Sequence, residues 1–316
     1  MEIFDAAAIR AATPWPALME AIAGLLADSR ASAPERQVHP LPLPGGSEGS
    51  LLVMPAWRAG DVIGVKAVTY FPTNAGGPTP TINAGYLLFD GCTGRLVATL
   101  DGDELTVRRT AATSALAARH LARQDARRLL VIGTGQLAPA VALAHAHGRS
   151  PTAVEVWGRN DRGAHHVVDL LAREGLPAAV AKDLDAAVGR ADLISCVTGA
   201  GEPLVAGHLL QPGAHLDLVG SFRPDMREAD DTAVRRAAVF VDTTAGALRS
   251  GDVAQPLESG ALGDGEILAD LADLVTGDHP GRGSPEQITL FKSAGFALAD
   301  LAAAQLVRDS SFPSSG

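Results

Sequence analysis

The stretch Leu129-Leu130-Val131-Ile132-Gly133-Thr134-Gly135-Gln136-Leu137-Ala138 decides the fold. A run of four apolar residues reads as a buried strand, and the pattern G-x-G-x-x-A then opens a helix predicted over residues 136–147. Gly133 suits a tight turn, Gly135 admits close approach of backbone to a pyrophosphate, and Ala138 lets helix and strand pack closely. The helix N-terminus adds N–H groups and positive dipole. By itself the hexapeptide is weak, since any α/β protein can use such a turn. With strand, helix and a following strand in place, it points to a dinucleotide held at Gly133, Thr134, Gly135, Gln136 and Leu137.

Downstream the alternation continues, with strands predicted over 129–132, 153–157, 178–181, 193–197, 215–219 and 239–242 and helices over 136–147 and 162–174. That is a parallel sheet with crossover helices. The second strand ends in Trp157-Gly158-Arg159-Asn160, where an NAD-binding unit sets an acidic residue against the adenosine ribose. Arg159 stands there instead, with Arg162 nearby, so a 2′-phosphate is favoured and NADPH is preferred to NADH. The bland alternative for Arg159 is a solvated surface arginine, and Asp161 keeps NADH open.

Upstream the texture differs. A short helix over 16–29 precedes a Pro/Gly-rich loop over 40–49. Short strands over 51–54, 62–69, 84–89 and 96–100 follow, with turn signals at Asp90-Gly91 and Asp101-Gly102. This antiparallel block hands over to one long helix over 106–123. A last strand over 288–291 and an Ala-rich helix over 293–307 lie beyond a complete alternating sheet, so that helix is expected to return to the first domain. The tail 310–316, rich in Ser, Pro and Gly, is expected to fray. The fold class expected is therefore α/β: a Rossmann-type doubly wound dinucleotide domain (116–289) inserted into a smaller, discontinuous α+β domain (1–115 plus 290–316).

Composition narrows the function. Of 316 residues 47% are hydrophobic, and 26 Lys+Arg against 36 Asp+Glu leave a net charge of −10, which offers phosphate backbones and anionic lipid no broad attraction. No apolar run reaches the roughly 18 residues of a membrane span, and the N-terminus is acidic where a signal peptide is basic. Neither nucleic acid nor a membrane is an expected partner. Cys92 and Cys196 lie outside any metal-ligand spacing, and His145, His147, His165 and His166 lack a second ligand cluster, so no metal is expected. A reducing cytoplasm fits.

Charged residues in apolar stretches of the first domain are the chemical candidates. Lys66 interrupts Val62-Ile63-Gly64-Val65-Lys66-Ala67-Val68-Thr69 and shares a face with Gly64 and Val68; the plain alternative is an outward lysine. Arg109 can aim a guanidinium fork at a carboxylate while Thr110 or the first-turn amides meet an anion, and Arg36 is a third cation.

Several motifs run together through nearly the whole chain: Met54-Pro55, Val65-Lys66, Leu100-Asp101-Gly102, Arg109-Thr110-Ala111-Ala112 and Gly133-Thr134-Gly135-Gln136. Further along come Pro212-Gly213-Ala214-His215, Arg223-Pro224-Asp225 with Arg227-Glu228, Val241-Asp242, and Phe291-Lys292-Ser293. In order and spacing they resemble the ornithine cyclodeaminase/mu-crystallin family. The resemblance implies a homodimer built through the first domain, and a substrate carboxylate bound by Arg36, Lys66 and Arg109. It further implies a hydroxyl at Thr81 near substrate and nicotinamide, with a turn at Lys292-Ser293 close by. The cofactor set is completed by Arg109, Thr110, Asn160, Arg162, Thr198 and Val219.

One departure separates the family's activities. Where cyclodeaminases carry a catalytic aspartate after a Val-Gly pair, Val219-Gly220-Ser221-Phe222 sets Phe222. Phenylalanine accepts no proton, and Asp225 matches the separate Arg-Pro-Asp element. The expectation is a ketimine reductase: Δ1-pyrroline-2-carboxylate to proline, with Δ1-piperideine-2-carboxylate to pipecolate as a second reaction. Lys66 would be the catalytic proton relay, its pKa depressed by neighbouring cations, and Phe222 would be an apolar wall. Amino-acid oxidation, as by a cyclodeaminase or an alanine dehydrogenase, stays open as an alternative. So does a non-catalytic NADPH-dependent binding protein.

Overall fold

The computed structural model describes residues 1–311; most of the tail expected to fray lies outside the described residues, while Ser310 belongs to the C-terminal helix. The chain divides into two compact units, Met1–Arg109 with the chain from Phe296 onward, and Thr110–Gly295.

The first unit contains β1 (Glu2–Phe4), α1 (Ala6–Ala12), α2 (Trp15–Ala27), β2 (Ala31–Ser32), β3 (Gln37–Pro42), β4 (Glu48–Arg58), β5 (Val62–Tyr70), β6 (Ile82–Asp90) and β7 (Leu96–Asp101). The start of α3 (Gly102–Leu121) and the C-terminal helix (Ala297–Ser311) complete it. Its sheet runs β1-β7-β6-β5-β4-β2 with β3 also on β4, antiparallel except where β1 meets β7. Alternation sends Met54, Ala56, Val62, Lys66, Tyr86, Leu88, Ala98 and Leu100 to a buried face; the C-terminal helix packs on β4 and β5, and α2 packs on that helix. The opposite face carries Trp57, Ile63, Val65 and Leu87 and stays partly open.

The expected loop over 40–49 is instead β3, a short 3-10 turn and the start of β4. Pro40 and Pro42 are tolerated because β3 is bonded only to β4 and owes no amide to a second neighbour. The long helix begins at Gly102, four residues earlier than expected, because the Asp101 carboxylate accepts from the Asp103 and Glu104 amides (3.0 and 2.9 Å) and caps it. Gly102 is required by close approach: a Cβ there would lie 2.5 Å from the Ala84 carbonyl carbon.

The second unit holds the rest of α3, then β8 (Arg128–Ile132), α4 (Leu137–His147), β9 (Ala153–Trp157), α5 (Asp161–Arg173), β10 (Ala179–Val180), α6 (Leu184–Val188), β11 (Leu193–Cys196) and β12 (His215–Leu218). It continues through α7 (Asp231–Arg236), β13 (Ala237–Val241), α8 (Thr244–Ala247), α9 (Gly251–Ser259), β14 (Ile267–Asp270), α10 (Leu271–Thr276) and β15 (Ile288–Lys292). All eight strands are parallel, in the order β10-β9-β8-β11-β12-β15-β13-β14. The order reverses between β8 and β11, the switch point at which doubly wound sheets bind ligands beyond their strand ends. The expected boundaries at 115/116 and 289/290 move to 109/110 and 295/296. β15 is paired on both edges, with β12 and β13, so the chain leaves the second unit only after it. Among the described residues no helix is long and apolar enough to cross a membrane.

Asp217 on β12 ties this unit together. Fully buried, it accepts from Ser114 Oγ of α3 (3.1 Å) and Ser195 Oγ of β11 (2.5 Å), and faces His145 Nε2 of α4 at 3.3 Å. Asp217→Ala strands three buried polar groups at once and should lower the unfolding free energy by about 3 kcal/mol, read from urea denaturation.

Candidate functional site

In the second unit β8 delivers the chain to Gly133, whose φ of +127° and would-be Cβ contact with Val197 O (2.7 Å) admit only glycine. The Gly133 amide donates to Trp157 O at 2.9 Å, tying the turn to the end of β9. Thr134 is wedged between Gly158 and Gly163, where Cβ atoms would come within 2.4 and 2.8 Å of its side chain. A Cβ on Gly135, by contrast, would meet nothing within 4 Å, and no side chain caps α4 behind it. An exposed backbone loop over an uncapped helix N-terminus fits a pyrophosphate. Gln136 is exposed and Leu137 half-buried there.

At the end of β9, Arg159 and Arg162 are exposed and form no salt bridge among the described residues; Asn160 spends its side chain on the Arg162 amide (2.9 Å), capping α5. Glu155, the carboxylate within β9, is clamped by Arg190 at 2.8 and 2.6 Å.

The loops after β11 and β12 meet on Glu228. Its Oε1 accepts from the Thr198 amide and hydroxyl (2.7 and 2.9 Å), and its Oε2 from the Gly220 amide (2.8 Å). The Glu228 amide reaches Asp252 Oδ1 at 2.7 Å, and Asp252 Oδ2 holds Lys292 Nζ at 3.0 Å, all three side chains being buried. Burial first, then Asp252, pushes the Glu228 carboxyl up to about 8, against the pull of Lys292 and the Thr198 and Gly220 amides. Lys292 therefore turns its ammonium inward. Asp242 does the same for the next turn: its Oδ2 accepts from Ser293 Oγ (3.2 Å) and the amides of Ala294 and Gly295 (2.7 and 2.6 Å). Val219 is buried and Phe222 half-buried on the β12 loop. Asp225 is gripped by the Arg223 guanidinium, which holds its carboxyl below the usual range.

In the first unit the structure brings Lys66 and Arg109 together on a residue the sequence reading missed. Asp300 Oδ1 lies 2.9 Å from Lys66 Nζ and 2.9 Å from Arg109 Nε, with both lysine and aspartate fully buried. The signal available in the sequence was a lone carboxylate inside Ala297-Leu298-Ala299-Asp300-Leu301-Ala302. The outward reading of Lys66 is excluded by its burial. Its pKa falls to about 8, chiefly through burial, with Asp300 raising it and Arg109 and Arg36 lowering it. The neighbouring cations are thus a lesser cause than expected. Arg36 is half-buried before β3. Arg108 is structural, stacked 3.4 Å over Trp15 and bonded to Thr13. Thr81 is half-buried and its carbonyl accepts from the Phe71 amide (2.7 Å); Thr110 is buried. No group of acidic, histidine or cysteine side chains among the described residues is arranged to hold a metal.

A Rossmann-type unit inserted into a unit that buries a lysine–arginine–aspartate cluster defines a nucleotide-dependent class of protein. Residues 17–314 match the profile of the ornithine cyclodeaminase/mu-crystallin family, and the chain belongs to that family. It is 39% identical over 280 residues to the Delta(1)-pyrroline-2-carboxylate reductase of Paracoccus denitrificans, covering 87% of each chain. With the Protein SAR DEFICIENT 4 of Arabidopsis thaliana identity is 38% over 289 residues, covering 89% of this chain and 88% of the other. The structure of the Thermococcus litoralis Delta(1)-pyrroline-2-carboxylate reductase in complex with NADH and L-proline superposes with a TM-score of 0.92. It is 28% identical, with 98% of this chain and 97% of that chain covered.

Glu228 makes stability pH-dependent. Its folded pKa of about 8 exceeds its ordinary 4.5, so its contribution is fully present below about 4.5 and is lost as pH rises through about 8. Glu228→Gln should flatten that fall by on the order of 1–3 kcal/mol in urea midpoints taken across pH 5–8.5.

Proposed function

We propose that this chain is an NAD(P)H-dependent ketimine reductase that converts Δ1-pyrroline-2-carboxylate to L-proline and, as a second reaction, Δ1-piperideine-2-carboxylate to L-pipecolate. The observation that carries the reading is the buried pair of cations, Lys66 and Arg109, sharing one aspartate oxygen. A lysine and an arginine side by side in that interior offer a carboxylate two cationic hydrogen-bond donors. The names of the relatives point the same way.

Arg109 and Arg36 hold the substrate carboxylate, with the Thr81 hydroxyl beside the ring. The Lys66 ammonium gives its proton to the imine nitrogen, so that the C=N π electrons end in a new N–H bond while the ring carbon gains hydrogen with its electron pair. A reduced nicotinamide dinucleotide, when bound, supplies that hydride. Gly133, Thr134, Gly135, Gln136 and Leu137 hold its pyrophosphate, and Arg159 and Arg162 its 2′-phosphate, favouring NADPH over NADH. Thr198 and Val219 line the strand ends, with Asn160 capping α5 beside the two arginines and Thr110 near the Arg109 end of α3. Lys292 and Ser293 act through the backbone of their turn, their side chains being committed to Asp252 and Asp242. Phe222 offers a compact ring an apolar wall, and Asp225, held by Arg223, is no free base for deamination.

The partner of the open sheet face is a second copy of the chain. Trp57 (37% exposed), Ile63 and Phe89 lie across one another on β4, β5 and β6, as do Pro55, Val65 and Leu87 (39%), with Ile3 (78%) at the β1 edge. Sedimentation should give a dimer, and the double variant Trp57→Glu/Leu87→Glu a monomer.

The deciding assay is NADPH oxidation with the five- and six-membered imines, alongside ornithine with NAD+ and ammonia detection. Imine-dependent oxidation without ammonia is expected; ammonia from ornithine overturns the reading. Lys66→Ala should lower kcat about 100-fold or more. Arg159→Ala should raise KM for NADPH about tenfold while leaving that for NADH unchanged.

A further inference from the structure

Asp300 is the only carboxylate that hydrogen-bonds Lys66 among the described residues, and it reaches the lysine from the opposite end of the chain. Gly64, two residues before Lys66 on the same face, makes the approach possible. A Cβ there would stand 1.9 Å from the Tyr86 hydroxyl and 3.0 Å from Leu301 Cδ1. The C-terminal helix can therefore press its Asp300-Leu301 turn onto β5 only over a glycine. One oxygen, Oδ1, then serves both Lys66 Nζ and Arg109 Nε.

We infer that Asp300 is a positioning residue for imine reduction, acting through Lys66 and Arg109 by fixing the proton donor and the carboxylate clamp on a single shared oxygen. The inference rests on the proposed reductase reading. The groups facing Lys66 are Asp300 from the C-terminal helix, Arg109 and Asp103 from α3, Arg36 before β3, and Tyr86 across from it on β6. Burial and the two arginines favour a neutral amine there; the charge and hydrogen bond of Asp300 oppose them. Without Asp300, Lys66 would give up its proton at lower pH, and the imine would find fewer protonated donors at neutral pH. The alkaline limb of kcat/KM is therefore expected near pH 8 in the natural chain and at lower pH when Asp300 loses its charge.

The chain has three lysines, Lys66, Lys182 and Lys292, so their side-chain nitrogens can be followed individually by NMR, with exposed Lys182 as the reference. The experiment titrates Lys66 in the full-length protein and in D300N and D300E, together with kcat/KM for Δ1-pyrroline-2-carboxylate over pH 6–10. D300N should move both the Lys66 midpoint and the alkaline limb down by about one unit or more and lower kcat/KM at pH 7 about twofold or more, with KM for NADPH within about twofold. D300E, which keeps the charge, should restore the midpoint to within about half a unit. An unchanged midpoint and limb in D300N overturn the inference, as does a loss confined to the KM for NADPH. If D300N does not fold, D300E decides alone: a midpoint held near 8 with reduced kcat/KM supports the role, and one displaced by about a full unit overturns it. A natural chain inactive on both imines overturns the reductase reading, whereas an active chain with an unmoved D300N midpoint overturns only the role of Asp300.

Discussion

The interior of the first unit is organised around a carboxylate oxygen shared by two cations. A buried lysine and a buried arginine are each costly, and side by side they repel; one aspartate inside the same layer makes their coexistence possible. That requirement reaches far along the chain. The carboxylate sits at position 300, the lysine at 66 and the guanidinium at 109, so the last helix must return to a sheet the chain left almost two hundred residues earlier. Insertion of a whole second unit between Arg109 and Phe296 is compatible with this because the closure entropy of the connecting segment grows only logarithmically with its length. The small residues Ala299, Ala302 and Ala303, all buried, let that helix lie close to its neighbours.

The second unit solves the same problem with the same residue types. Lys292 at the end of β15 is matched by Asp252, and Asp252 in turn holds the amide of Glu228, whose carboxylate fastens the loops after β11 and β12. Two of the chain's three lysines are thus buried against aspartates, and arginine carries nearly all the exposed positive charge. The division follows from the side chains. A lysine inside a protein can change its protonation state over an accessible pH range, whereas an arginine remains charged. Lys66 is tuned to about 8, and Arg109 beside it supplies charge that does not vary.

What could be read from the sequence was local. The strand 129–132, the two glycines and the helix behind them follow from adjacent residues, and alternation alone set Lys66 on the face of Gly64. What could not be read depended on partners remote in the chain. Asp300 looks like a stray acid in an alanine-rich helix until Lys66 and Arg109 are brought to it; Asp252 gains its meaning only from Lys292, forty residues on. β3 was hidden because its prolines argue against a strand, and only its edge position lifts the objection. The start of α3 was hidden by Asp101-Gly102, which has the composition of a turn but acts as a cap and a close contact.

The order of causes at Lys66 also bears on how a reductase of this design would work. Were repulsion by Arg36 and Arg109 the main reason for a low pKa, a substrate carboxylate that neutralised those cations would remove most of the depression. Burial is the larger cause, and a bound ring would preserve it by excluding water. A carboxylate arriving beside Lys66 and Arg109 would still add negative charge there, so Lys66 would hold its proton more firmly with substrate bound than without. Transfer then has to be drawn by the imine itself: as hydride reaches the ring carbon, the nitrogen turns from a weakly basic imine into a strongly basic amine, and the proton follows. Asp300 fits that sequence as a fixed counter-charge, keeping the ammonium in place until the acceptor becomes the stronger base.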